Sequence, residues 1–167
     1  YATELRGSAY DGVSLKNVLQ MSSGAKWNED YSDAGSDVNR LGEVLSGGSS
    51  LAEFVSKIER ATEPGTVCQY NSADTQVLGM VLVAATGRSV SDYMQEKLCE
   101  SLGRESEGYW IVDKVGMEMV LGGLNLTARD FARIGELYRN KGLWQGKQIV
   151  PAAWVEASTR ADGGHLQ

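Results

Sequence analysis

The sequence contains very little histidine, cysteine or proline. Its 167 residues include one histidine, His165, two cysteines, Cys68 and Cys99, and two prolines. A structural zinc site uses about four Cys or His ligands, and a disulfide framework needs several bridged pairs. The totals exclude both arrangements, and we expect a protein without a metal site or a cofactor. A single bridge between Cys68 and Cys99 stays open, because spacing alone does not fix the distance between two thiols.

Basic charge and long apolar runs are also scarce. Lys and Arg total 16 against 22 Asp and Glu, so the formal net charge is −6. No basic cluster is available to bind phosphate groups, so nucleic acid is not an expected partner. No stretch of about 18 apolar residues occurs, and we expect no membrane span. The chain shows no signal peptide and starts at Tyr1 without Met, which favours an internal piece of a longer protein. Periplasmic, secreted and cytoplasmic locations all stay open.

Apolar residues recur at helical spacing along most of the chain. The spacing predicts helices over 51–58, 72–86, 89–101 and 127–140, with shorter ones near 15–19, 38–45 and 151–158. Between 109 and 124, β-branched and aromatic residues interspersed with glycines predict short strands or extended loop. The prediction is a mainly α fold with short β segments, forming a single domain over residues 1–167.

The segment CQYNSAD, residues 68–74, places a phenol, an amide and a hydroxyl where a turn enters the helix predicted from 72. Asn71 is suited to cap this helix, and Asp74 three residues later completes a pattern typical of a capping box. Capping does not need Tyr70, and a tyrosine at a helix entrance is most often a packed ring with a surface hydroxyl. The residues alone leave open whether Tyr70 is structural or catalytic.

The segment Ser23-Gly-Ala-Lys26 matches the spacing Ser-x-x-Lys. In that motif one helical turn brings a lysine amine beside a serine hydroxyl, so that the amine can take the hydroxyl proton. Gly24 disfavours a helix at this place. We therefore expect Ser23 not to act as a nucleophile.

Three longer stretches resemble the serine β-lactamase-related hydrolases, which include class C β-lactamases, D-Ala-D-Ala carboxypeptidases, esterases and 6-aminohexanoate-dimer (nylon oligomer) hydrolases. The stretches are SLKNVLQMSSGAKWNEDY, EPGTVCQYNSADTQVLGMVLVAATGRSVSDYM and GGLNLTARDFARIGELYRNKGLWQGKQIVPAAWVEAST. Within the group, NEDYSDAGSDV and QYNSAD are most similar to the nylon-oligomer branch. The resemblance implies the helical domain, with flanking parts, of a β-lactamase/transpeptidase-like α+β fold. It also implies cleavage of a small amide or ester through an acyl-serine intermediate.

The resemblance assigns expected roles to particular residues. Tyr70, Asn71 and Ser72 occupy the place of the second catalytic motif, in which a phenol with a pKa lowered by a lysine transfers the proton of the serine nucleophile. Whether Asn71 or Ser72 is the polar partner of this phenol stays open. Tyr31 matches a tyrosine that lines the substrate cleft, although an aromatic ring that pins its own loop is an equal alternative. Gly122-Gly123 is expected to permit a close backbone approach at the cleft wall.

Two motifs of the group have no counterpart in the chain. Its members have Ser-x-x-Lys upstream of a segment such as YDGVSLKNVLQMSSG, and a Lys-Thr-Gly or His-x-Gly strand downstream of one such as ADGGHLQ. We therefore expect an internal fragment, inactive alone, of a serine hydrolase whose central sheet is formed by the flanking segments. The alternative is a non-catalytic helical interaction module or a degenerate homologue.

Overall fold

Six of the eight helices in the described residues begin after a side chain that accepts a hydrogen bond from the first turn. The computed structural model describes residues 2–161 and 163–164, so His165 and Tyr1 lie outside the described residues. The capping residues are Ser14, Ser36, Ser50, Asn71, Ser89 and Thr127, and each accepts from a backbone N–H two or three residues later. A short polar side chain at this position satisfies a donor that the helix itself leaves free.

The order of elements is helical with brief extended pieces. After a 3₁₀ turn at Thr3–Leu5, the helices are α1 Leu15–Leu19, α2 Asp37–Val44, α3 Leu51–Ser56, α4 Ser72–Thr86, α5 Val90–Met94, α6 Glu100–Leu102, α7 Ala128–Arg139 and α8 Ala152–Thr159. The strands are β1 Tyr109–Trp110, β2 Leu124–Asn125, β3 Leu143–Trp144 and β4 Lys147–Gln148. The mainly α prediction with short β segments is confirmed.

The four longer predicted helices are all present. α3, α4 and α7 lie within the predicted 51–58, 72–86 and 127–140. The predicted helix 89–101 is α5 and α6 joined by a π-helical segment, Gln95–Cys99. A π turn holds one extra residue in the helix without ending it, so the apolar spacing does not reveal it. The run ends at Gly103, which has a φ of +65°.

The strands form two small antiparallel pairs. Tyr109 pairs with Asn125, and Trp110 with Leu124, which confirms the extended character predicted for 109–124. Leu143 pairs with Gln148 and Trp144 with Lys147, a hairpin that the sequence analysis did not predict. Its two-residue turn has positive φ at both positions, 46° at Gln145 and 81° at Gly146. Such a turn matches the twist of the flanking strands, and Gly146 is the residue that favours it.

The main core lies between α1, α2, α3 and α4. Its buried side chains include Val18, Trp27, Leu41, Val44, Leu51, Val55, Val77 and Met80. The apolar residues whose spacing predicts α4 are Val77, Leu78, Val81, Leu82 and Ala85. The buried part of the helix differs from this stripe, since Asp74, Gln76 and Gly79 also face inward while Ala85 is exposed. Gly79 has no Cβ because one would lie 2.4 Å from Cγ2 of Val120. The loop before β2 therefore packs directly on the middle of α4.

The apolar spacing that predicts the helix 127–140 is that of Phe131, Ile134, Leu137 and Tyr138, and it predicts that this stripe packs inward. The stripe is only partly buried. Leu137 is fully enclosed, but Phe131 and Tyr138 are exposed. The expectation that all four stripe residues of α7 pack inward is wrong, because this helix lies at the periphery beside β3.

Two further findings concern membrane-spanning helices and the cysteines of the described residues. Over residues 2–161 and 163–164, no helix combines the length and the apolar character needed to cross a bilayer. Both cysteines are free thiols, with Cys68 exposed and Cys99 buried.

Candidate active site

Tyr70 lies at the entrance of α4 with an exposed ring. Its side chain is 64% exposed, whereas the next two residues, Asn71 and Ser72, are buried. The backbone before it is fixed because Gln69 N–H donates to the carbonyl of Met21 at 2.8 Å. Asn71 is extended, with φ −148° and ψ 107°. The hydrogen-bonded backbone before Tyr70 thus supports a phenol that faces an open surface.

The side chains of Asn71 and Ser72 form hydrogen bonds with different parts of the chain. The Oδ1 atom of Asn71 accepts from Ala73 N–H at 2.8 Å and from Asp74 N–H at 3.3 Å, so the amide oxygen caps α4. Ser72 instead donates its hydroxyl to Oε1 of Glu29 at 2.6 Å. Capping commits the Asn71 oxygen to the helix end. The side chain that connects the motif to a neighbouring loop is Ser72.

Glu29 is the centre of a hydrogen-bond cluster on that loop. Besides the Ser72 hydroxyl, its Oε1 accepts from the Tyr31 hydroxyl at 2.8 Å. Its Oε2 accepts from Ser72 N–H at 3.1 Å and from Nε1 of Trp27. Glu29 thus satisfies a backbone donor at the start of α4, where negative charge is also favoured by the helix dipole. We call Trp27, Glu29, Tyr31 and Ser72 the Glu29 cluster.

The electrostatics of the Glu29 cluster favour an ionised Glu29 beside a neutral Tyr31 phenol. Burial alone would raise the pKa of Glu29, but the hydrogen bonds from Ser72, Trp27 and Tyr31 outweigh burial and lower that pKa. The pKa of Tyr31 is raised, first by its hydrogen bond to Glu29, and an electrostatic interaction with Tyr70 adds to the shift. Tyr31 is 69% exposed, so its ring faces the same open surface as Tyr70.

A second carboxylate lies beneath the site. Asp74, in the first turn of α4, is fully buried, and its Oδ1 accepts from the Tyr10 hydroxyl at 2.9 Å and from the Ser23 hydroxyl at 2.7 Å. Burial raises the pKa of Asp74 to about 6, against the lowering effect of these two donors. Asp74 does not complete the predicted capping box, because its carboxylate turns to Tyr10 and Ser23 instead of the Asn71 backbone.

Ser23 has the surroundings of a structural residue. Its side chain is 2% exposed and donates to Asp74. Gly24 has a φ of +78° and Ala25 forms an isolated β-bridge with Arg60, so the segment from Ser23 to Lys26 is not helical. A buried hydroxyl on non-helical backbone lacks the one-turn geometry of Ser-x-x-Lys. These contacts agree with the expectation that Ser23 is no nucleophile.

Gly122 and Gly123 differ from each other. A Cβ on Gly123 would lie 2.7 Å from the carbonyl oxygen of Met119, so close backbone approach requires glycine there. Gly122 has open space around its Cα, so no other part of the described chain approaches it closely on the side where a Cβ would lie. Their neighbour Val120 contacts α4 at Gly79, more than two helical turns beyond Tyr70. A role of the two glycines in substrate binding stays a prediction.

Two important residues were missed from the sequence, Glu29 and Asp74. Glu29 contacts Ser72 across 43 positions, and Asp74 contacts Tyr10 across 64. The available signals were an acid two residues before a candidate cleft tyrosine and an acid one helical turn after Tyr70.

Solved structures share this arrangement of elements. A protein from Bacillus anthracis, described as a 6-aminohexanoate-dimer hydrolase, superposes with a TM-score of 0.85 at 25% identity, over 94% of this chain and 44% of that one. A class C beta-lactamase superposes with a TM-score of 0.53 at 23% identity, over 95% of this chain and 45% of that one, which shows the fold alone. The arrangement of elements is therefore that of the β-lactamase fold.

The chain belongs to the Beta-lactamase family, whose profile matches residues 1–166. A curated relative, the 6-aminohexanoate-dimer hydrolase of Paenarthrobacter ureafaciens, is 32% identical over 168 residues, which cover 94% of this chain. The match spans only 42% of that relative's length.

Proposed function

We propose that this chain supplies the proton-transfer tyrosine and part of the cleft wall of a serine hydrolase that cleaves an amide or ester. The observation behind the proposal is an exposed Tyr70 phenol on fixed backbone, beside the Glu29 cluster. A general base must reach within about 3 Å of the group it serves, which requires an accessible tip. The proposal places the nucleophile, in Ser-x-x-Lys, and the third motif in flanking segments, so the chain alone is inactive.

The proposed chemistry has two proton transfers at one oxygen. The phenolate of Tyr70, favoured by the lysine of the flanking motif, accepts the proton of the serine hydroxyl as the serine oxygen attacks the carbonyl carbon. Tyr70 then donates that proton to the leaving nitrogen or oxygen as the bond to the carbonyl carbon breaks. Water attacks the acyl-serine by the same route in reverse. No metal or organic cofactor takes part in this scheme.

The proposed substrate is a small amide or ester. The name of the Paenarthrobacter ureafaciens relative specifies a 6-aminohexanoate dimer, a short linear amide. Tyr31, Gly122 and Gly123 are proposed to line the substrate cleft, and nucleic acid is not a proposed partner. Ser72, linked to Glu29, is the polar partner that we propose for Tyr70, because Asn71 is occupied in capping.

The test uses a protein that contains this chain together with the flanking segments that its longer relatives have. We expect Tyr70→Phe to preserve the fold and lower kcat for a 6-aminohexanoate dimer or a nitrophenyl ester by roughly 10²–10⁴-fold. Tyr109→Phe, at a tyrosine that is 66% exposed, is the matched control and should retain the parent rate.

Two results would count against the proposal. Parental kcat in Tyr70→Phe would remove the proton-transfer role. Failure of a fluorophosphonate probe to label any serine of the longer protein would favour a non-catalytic module or degenerate homologue.

A further inference from the structure

The Glu29 carboxylate contacts the candidate catalytic motif and the candidate cleft tyrosine together. Each of its oxygens accepts two donors: Ser72 Oγ and Tyr31 Oη on Oε1, and Ser72 N and Trp27 Nε1 on Oε2. Hydrogen bonds to an ionised acceptor are about twice as strong as neutral ones. The carboxylate therefore couples a loop to the first turn of α4.

This coupling fixes two groups on the open surface. The ring of Tyr31 is exposed, but its hydroxyl is held by Glu29, which restricts the directions that the ring can take. Ser72 directly follows the capping residue Asn71, so a bond to its backbone N–H fixes the start of α4 two residues after Tyr70. Trp27 is buried in the main core and anchors the other side of the cluster.

We propose that Glu29 is a positioning residue, which holds the Tyr31 hydroxyl and the start of α4 in the relative placement that Tyr70 needs for productive substrate binding. The inference rests on the proposed function. The proposed role is to position other groups through hydrogen bonds, and it includes no contact between Glu29 and the reacting atoms.

A pair of substitutions separates hydrogen bonding from charge. Glu29→Ala removes both acceptors and leaves Ser72 N–H and Trp27 Nε1–H without them. Glu29→Gln can place its amide oxygen toward these two N–H groups and its NH₂ toward the hydroxyls of Ser72 and Tyr31, which accept as well as donate. The glutamine therefore preserves the geometry and removes the negative charge.

The experiment measures kcat and KM in the protein that carries this chain with its flanking segments. We expect Glu29→Ala to lower kcat/KM by roughly 10–100-fold, as expected when buried donors lose their acceptor, and Glu29→Gln, which restores the hydrogen bonds without the charge, to recover most of that loss. Glu43→Ala, at an exposed carboxylate of α2, is the control and should stay within about twofold of the parent. In a Tyr31→Phe background, Glu29→Ala should lower kcat/KM by a smaller factor than in the parent, because the hydrogen bond between Tyr31 and Glu29 is already absent.

A second measurement does not depend on activity. Glu29 raises the pKa of Tyr31, so NMR titration of the Tyr31 phenol carbon should show a lower pKa in Glu29→Gln than in the parent. An unchanged Tyr31 titration would overturn the proposal, even if Glu29→Ala failed to fold. Parental kcat/KM in a folded Glu29→Ala protein would overturn it too, while a defect in Tyr70→Phe measured in parallel would leave the proposed function standing.

Discussion

At the residue scale, Asp74 is the most unusual side chain of the described structure. It is fully buried, its Oδ1 accepts two hydroxyl donors, and its Oδ2 has no hydrogen-bond partner. A buried oxygen without a hydrogen-bond partner destabilises the folded state more when it is charged than when it is neutral. Burial therefore raises the pKa of Asp74 to about 6 and makes the neutral acid the favoured form in the folded protein below that pH.

We predict that Asp74→Asn changes how stability depends on pH. The folded-state pKa lies above the ordinary value of 3.8, so the folded state holds the proton more tightly, and the Asp74 contribution is lost as pH rises from about 4 through about 6. The asparagine does not titrate. The free energy of unfolding of Asp74→Asn minus that of the parent should therefore rise by up to about 3 kcal/mol between pH 4 and pH 7.

Urea unfolding of both proteins at pH 4, 5, 6 and 7 measures this difference. Glu59→Gln, at an exposed carboxylate, is the control and should track the parent. Parallel stability curves for Asp74→Asn and the parent would show that burial does not shift the Asp74 titration.

The sequence predicts the residues of the candidate site where a short local pattern identifies them. Tyr70, Asn71 and Ser72 follow each other at a helix entrance, so their neighbourhood could be inferred from a few letters. Glu29 and Asp74 could not be found this way, because their partners are distant in sequence and an acid near a loop is usually a solvated group. Their importance arises only when the loop and α4 are packed together.

At the element scale, α4 depends on its cap as much as on its apolar residues. Asn71 accepts from two backbone N–H groups of the first turn and is 3% exposed. Water cannot replace a buried acceptor easily. The start of α4, and with it the direction of Tyr70, is therefore sensitive to this one side chain.

We predict that Asn71→Ala lowers the free energy of unfolding by about 1–2 kcal/mol, the upper part of the range for lost caps. Asn71→Ser keeps a side-chain oxygen that can accept from the same donors, and it should lie closer to the parent. Chemical denaturation of the three proteins gives the comparison. Equal stability of the alanine and serine variants would show that capping is not the role of Asn71.

The sequence predicts helices that have both apolar residues at helical spacing and a polar capping residue at their start. It does not predict departures from regular helix or turn geometry. α3, α4 and α7 follow from apolar spacing together with Ser50, Asn71 and Thr127. The π-helical segment Gln95–Cys99 leaves no mark in a periodicity count. The β3–β4 hairpin was missed because Gln145 takes a positive φ of 46°, which is uncommon for a residue other than glycine.

At the scale of the whole molecule, the buried side chains do not form one cluster. The main core is built from residues between Leu5 and Met80. The buried side chains of Leu102, Leu137 and Val155 lie outside that core, in the part of the chain that contains α6, α7 and α8. Parts of a protein with separate apolar contacts can open with different free energies.

We predict that Leu137→Ala destabilises the C-terminal helices selectively. Removing a fully buried leucine typically costs about 2–5 kcal/mol. Because Leu137 lies outside the main core, amide hydrogen exchange measured by mass spectrometry should accelerate mainly across α7 and α8. Leu51→Ala, at an equally buried leucine of the main core, should accelerate exchange in α3 and α4. The same exchange pattern for both variants would indicate a single cooperative unit.

The contrast between the two thiols has a practical consequence for following the site. Cys68 is exposed two residues before Tyr70, whereas Cys99 is buried and burial raises the pKa of its thiol. The thiolate is the form that reacts with alkylating reagents, so an environment-sensitive maleimide dye attaches at Cys68 in preference to Cys99. Within these 167 residues a fluorophore can thus be attached next to α4 without an engineered cysteine, and its emission would report changes at the surface around Tyr70.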